Sequence, residues 1–155
     1  MTTFLFLRQA LAEWKPVSVL IRRTRLPFWL LALTIGAALL GGLYDGPSLP
    51  TLVTSVALLA TFTCAVVLAG AHSGRATALT LRHPASLMAL ATGRWLAVTA
   101  LAGLVTLAAA IGAAWQAELG WREGVAAAVS AGWVALPVVA GGTLVTAGCW
   151  RRRTP

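Results

Sequence analysis

WLAVTALAGLVTLAAAIGAAW, residues 95–115, contains no Asp, Glu, Lys, Arg or Pro. A helix needs about 20 such residues to cross about 30 Å of hydrocarbon, so this stretch is the right length for one crossing. Its apolar residues do not alternate with polar ones, which a membrane strand would require. Without water, every backbone N–H and C=O must be satisfied inside the segment, and only a helix does that alone.

Working outward, three other stretches read the same way. They are PFWLLALTIGAALLGGLY (27–44), PTLVTSVALLATFTCAVVLAGA (50–71) and GVAAAVSAGWVALPVVAGGTLVTAGCW (124–150), none with a charged side chain. The expected fold is all-α: a polytopic membrane protein with four transmembrane helices. Its divisions are an interfacial region 1–26, a transmembrane domain 27–150 with a cytoplasmic loop 72–94, and a basic tail 151–155.

Composition agrees. The chain of 155 residues is 59% hydrophobic and only 10% charged, where a soluble domain carries about a quarter charged residues. A net charge of +8 would suit nucleic acid, because clustered basic side chains neutralise phosphates. That reading leaves the apolar stretches unexplained, and no nucleic-acid partner is expected. The partners expected are the lipid bilayer and other membrane subunits.

The basic residues also set an orientation. Arg8, Lys15, Arg22, Arg23 and Arg25 precede the first stretch, Arg75, Arg82 and Arg94 separate the second from the third, and Arg151, Arg152 and Arg153 follow the fourth. Only Arg122 falls in the two opposite loops, beside Asp45, Glu118 and Glu123. The positive-inside rule then places both termini in the cytoplasm, in a bacterial plasma membrane. Trp29, Trp95 and Trp150 mark one interface, and Tyr44, Trp115 and Trp121 the other. Trp133 falls near the middle of the fourth stretch, where it packs on a neighbour, faces lipid or touches a substrate.

At the N-terminus, Phe4, Leu7, Leu11 and Trp14 share one helical stripe, and Pro16 interrupts it. Residues 3–25 read as a helix lying in the interface, with a soluble helix docked on a partner as the competing reading. MTTFLFLRQALAEWK has no basic region ahead of its apolar residues, so no cleaved signal is expected.

The spans hold small residues for close helix packing, among them Ala37-x-x-x-Gly41 and Ala38-x-x-x-Gly42, with Gly103, Ala109, Gly112 and Ala113 in the third. Pro137 is expected to kink the fourth. Cys64 and Cys149 read as small core residues. His72 and His83, with no carboxylate near them in sequence, read as interfacial polar groups. Nothing here pairs a nucleophile with a base, sets out metal ligands or forms a nucleotide-binding loop. Neither catalysis nor a cofactor is expected.

The connection HSGRATALTLRHPASLMALATGR, 72–94, carries more leucine than a linker needs. Pro84 divides it into two short helical pieces, and Ser86 can cap the second. Leu87, Leu90 and Ala91 share one face of that piece, with Arg94 following. Such a helix lies on the membrane surface or is offered to a cytoplasmic partner.

Leu81, Pro84, Ser86 and the sequence Gly93-Arg94-Trp95-Leu96 that opens the third span, set behind a basic amphipathic N-terminus and two spans, resemble the ABC-2 class of ABC transporter permeases. The resemblance implies that 72–94 forms a coupling helix against a separate cytoplasmic ATPase subunit, with Arg75, Arg82, His83, Pro84, Leu87 and Arg94 as contact residues. The chain departs from that family in reading His72-Ser73-Gly74-Arg75 without an acid before the loop, and in having four spans where six are usual. The expected function is therefore a non-catalytic, permease-type subunit of an ATP-driven transporter. The alternatives are an accessory subunit that stabilises other transmembrane chains, and a small channel.

Overall fold

The computed structural model describes residues 8, 19, 24–41, 43, 48–71, 87–133 and 135–151. Those residues are all-helical in their regular structure, with no strand among them. Five α-helices follow in order: α1 (Leu26–Gly41), α2 (Leu49–Ala71), α3 (Leu87–Gln116), α4 (Gly120–Ala127) and α5 (Leu136–Arg151). A π-helical stretch, Ala128–Trp133, continues α4. Of the interfacial region expected over 3–25, only Arg8, Val19, Thr24 and Arg25 are described, too few to test it, while Tyr44 and the tail beyond Arg151 lie outside the described residues.

Three helices begin with the same dipeptide. Leu26-Pro27 opens α1, Leu49-Pro50 opens α2 and Leu136-Pro137 opens α5. Proline suits a first turn, where no N–H partner exists within the helix. Each preceding leucine is buried and anchors the helix start to the core. In α1 the first helical bond runs from the Trp29 N–H to the Arg25 carbonyl at 3.1 Å, and in α5 from the Val139 N–H to the Ala135 carbonyl at 3.0 Å.

α3 is the centre of the bundle. Its buried positions are almost all small: Ala89, Gly93, Ala97, Val98, Ala102, Gly103, Thr106, Ala109, Ala110, Ala113 and Ala114. Short side chains on so much of one helix let neighbours approach its backbone from several sides. α1 packs on α3 more extensively than on α2. The two run parallel, because Leu26 and Leu30 share a cluster with Ala97 and Val98 while Gly41 meets the backbone of Ala113 at the other end. A Cβ on Gly112 would stand 2.8 Å from the Ala38 Cβ. Of the two small-residue pairs expected in the first span, Ala37, Gly41 and Ala38 thus find α3, and Gly42 lies outside the described residues.

α2 runs antiparallel to α3, with Leu68 beside Ala97 and Val98 and Leu49 beside Ala113 and Ala114. The chain from Gly120 onward also runs antiparallel to it: Gly124 approaches Ala110, and Trp133 approaches Gly103. The start of α1, the end of α2, the start of α3 and the end of α5 therefore share one end of the bundle.

Between α3 and α4 the chain reverses in a tight turn. The Leu119 N–H donates to the Ala114 carbonyl (2.9 Å) and the Glu118 N–H to that of Trp115 (3.1 Å). This pair of bonds is a Schellman cap, whose C′ residue adopts a left-handed conformation. Here that residue is Glu118, at φ 58°, followed by Gly120 at φ 78°.

α2 and α3 are long and apolar enough to cross a membrane, through Leu49–Ala69 and Ala91–Gln116. α1 and the Leu136–Thr146 part of α5 are shorter apolar helices. The first two expected spans match α1 and α2 closely at their starts. The third does not: its helix begins at Leu87, so the short helical piece expected after Pro84, on the membrane surface or offered to a partner, runs continuously into α3. The fourth is not one helix but two, joined by the π-helical stretch and a turn at Ala135.

Candidate functional site

Of the six residues proposed to touch an ATPase, the structure describes two. Arg75, Arg82, His83 and Pro84 lie outside the described residues, together with Leu81 and Ser86. Leu87 is the first residue of α3, and Arg94 sits in that helix beyond its second turn. Leu, Met and Ala are strong helix formers, and no proline interrupts LMALATGR, so nothing stops α3 from starting early. Arg94 is half-buried, and its Nε is closed to solvent without a hydrogen-bond partner.

One turn of chemistry lies next to it. The Trp95 Nε1–H donates to the Pro137 carbonyl at 2.7 Å, joining the first third of α3 to the first turn of α5. The same indole lies 3.7 Å from where a Cβ on Gly141 would stand. Sequence reasoning gave Trp95 only an interfacial role. The signal it passed over is that Trp95 is one of the few N–H donors among side chains in these apolar stretches.

The break in the fourth apolar stretch follows from Pro137. Proline has no N–H for the Trp133 carbonyl four residues back, and its ring collides with that carbonyl in a continuous helix. The chain responds by widening into the π-helical stretch Ala128–Trp133 and restarting at Leu136. Such widened turns occur where a helix absorbs an extra residue. Trp133, at 38% exposed, lays its ring edge against Gly103: a Cβ there would meet it at 3.0 Å. Packing on a neighbour is the role it takes. Beside the break, Thr54, Ala57, Thr61, Gly132, Leu136 and Val139 line a cavity of about 10 Å³, room for no more than one water.

The hydroxyls are mostly occupied. Thr34, Thr54, Ser55, Thr61, Thr63, Thr92, Thr106, Thr143 and Thr146 each donate to the carbonyl four residues back in their own helix. Thr99 differs, its Oγ1 buried and without a partner. Cys64 is a free thiol sealed in the core between α2, α3 and α5. Cys149 falls within α5. No three His, Cys, Asp or Glu among the described residues are grouped to hold a metal ion; both histidines lie outside them. At the opposite end Arg122 lies over the Trp121 ring, 5.7 Å from its centroid. The described residues thus hold a long helix carrying a charge near its start, tied through Trp95 to a jointed neighbour.

No family model, curated protein or solved structure matches this chain.

Proposed function

We propose that the chain is an integral membrane subunit whose four apolar stretches all enter the bilayer, with both termini in the bacterial cytoplasm. The observation that carries this is the sorting of side chains by size. Small residues face inward along α3, while Phe28, Leu39, Leu104, Val138 and Val145 face outward, Val138 at 77% exposed. Water would penalise such a surface, and lipid does not. Fixed cysteine labels test the topology: reagents that cannot cross sealed vesicles should reach positions 83 and 152 from the same side. Labelling from opposite sides would end this reading.

Within that frame the subunit acts as a permease-type partner of a separate ATPase. The connection 72–94 meets the motor, and the spans rearrange around an apolar or amphiphilic cargo. Support comes from the continuity of α3. Because Leu87–Arg94 belongs to the same rigid helix as the packed centre, a push on the connection is delivered to every neighbour of α3. Extraction in mild detergent should recover an ATPase subunit, and Arg75→Glu with Arg82→Glu should reduce that recovery. A homogeneous preparation with no nucleotide-binding partner would refute it.

The close Ala and Gly packing of α1 on α3 favours a second reading, a rigid accessory subunit that braces other membrane chains. Deleting it would then leave the complex active at lower yield. Loss of transport with the complex intact would favour the first.

A further inference from the structure

α3 contacts the fourth apolar stretch on both sides of its break. Before the break, Gly103 faces the Trp133 ring, and a Cβ on Gly132 would stand 2.8 Å from the Thr106 methyl. After it, the Trp95 Nε1–H donates to the Pro137 carbonyl. Between these contacts α3 holds an idle donor. Thr92, Thr99 and Thr106 recur every seven residues, so they lie along one face of the helix, drifting by only about 20° per interval. Thr92 and Thr106 each donate to the carbonyl four residues back. The Thr99 Oγ1 is buried with no partner, and a hydroxyl left so costs stability.

The break offers what Thr99 lacks. Pro137 has no N–H, which leaves the Trp133 carbonyl without its α-helical donor. Trp95 meets Pro137 and Gly103 meets Trp133, so Thr99, midway between Trp95 and Gly103, stands at the level of the break. The side of the break away from α3 is not filled. A cavity of about 10 Å³ lies there, between Gly132, Leu136 and Val139 on one wall and Ala57 and Thr61 of α2 on the other. Widened turns such as Ala128–Trp133 recur at functional sites.

We propose that the break is a two-position hinge, with Trp95 holding α5 in one position and Thr99 in the other. In the position seen, the indole bonds the Pro137 carbonyl and Thr99 is idle. In the second, Leu136 and Val139 move into the cavity, the indole bond opens, and the Thr99 hydroxyl donates to the Trp133 carbonyl. α3 gives the fourth stretch one hydrogen bond either way, so neither position is strongly favoured. The device belongs to the bundle itself and works with or without a motor.

Electron-spin distance measurements on the full chain in detergent provide the test. Cys64→Ala and Cys149→Ser remove the native thiols, and spin labels go on cysteines introduced at exposed positions 145 in α5 and 104 in α3. A second pair, at exposed positions 62 in α2 and 104, spans two unbroken helices and serves as reference. Position 145 is about 15 Å along α5 from the turn at Ala135, a lever that turns a small tilt into a measurable shift. The 145–104 pair should show two distances and the reference pair one. Trp95→Phe should raise the second population relative to the first about fivefold, the scale of one neutral hydrogen bond, and Thr99→Val should lower it by a similar factor. An unchanged reference distance in both variants shows that the fold survives. One distance for the 145–104 pair in wild type and in Trp95→Phe overturns the proposal. So does a Thr99→Val chain that keeps the second population at full weight, which would make the break a plain flexible link.

Discussion

The third and fourth apolar stretches, 95–115 and 124–150, are both uncharged and rich in alanine, and they fold differently. α3 runs unbroken from Leu87 to Gln116. Its antiparallel neighbour divides into α4, a π-helical stretch and α5. Pro137 separates the two outcomes, since no proline occurs in α3. The same residue type that opens α1 and α2 at their ends opens α5 in the middle of an apolar run. A proline at the edge of such a run costs nothing, because its missing N–H would have had no partner anyway. One inside it forces the preceding turn to reorganise. The continuous helix carries the bundle's contacts, and the jointed one conforms to it.

That contrast can be broken most forcefully at Gly124. A Cβ there would lie 2.7 Å from the Ala110 carbonyl oxygen, a backbone atom that cannot turn aside. Gly124→Val should separate the jointed strand of the bundle from α3 and cost about 3 kcal/mol, read as a lowered melting temperature in detergent. Next comes the tie at the other end. Trp95→Phe removes the donor to Pro137 but keeps an aromatic ring, and should cost about 1.5 kcal/mol by the same measurement. A loss as large as that at Gly124 would mean the indole positions more than one bond. Pro137→Ala sharpens the comparison, since it should make the fourth stretch resemble the third. We expect about 1 kcal/mol of added stability and a slowly exchanging amide at position 137, bonded to the Trp133 carbonyl. A freely exchanging amide would show that the π-helical stretch has another cause. The smallest effect belongs to the turn between the two. Glu118→Gly relieves a left-handed side chain and should stabilise by about 0.5 kcal/mol.

How far these features could be read from residues alone depends on range. α1 and α2 were legible because their starts coincide with Leu-Pro and their cores with uninterrupted hydrophobic runs. The start of α3 was not. A charge at Arg94 looks like the end of an apolar segment, yet the helix continues past it with that side chain half-buried. Pro137 announced an interruption, but not that the strain would be taken up in the residues before it. The Trp95–Pro137 bond joins residues 42 positions apart, and no local pattern signals such a contact. As for the coupling residues, Arg75, Arg82, His83 and Pro84 rest on resemblance alone, while Arg94 gained a physical setting that its position in the sequence did not suggest.

The central place of α3 also bears on the order of synthesis. The ribosome delivers α1 and α2 before it, and those two have less surface in common than α1 has with the helix still to come. Until residue 116 has been made, the first half of the protein lacks the template it is shaped to fit. Assembly therefore waits on the middle of the chain, and a stalled or truncated product ending near residue 80 would leave Ala37, Ala38 and Gly41 available to whichever alanine-rich helix arrives next.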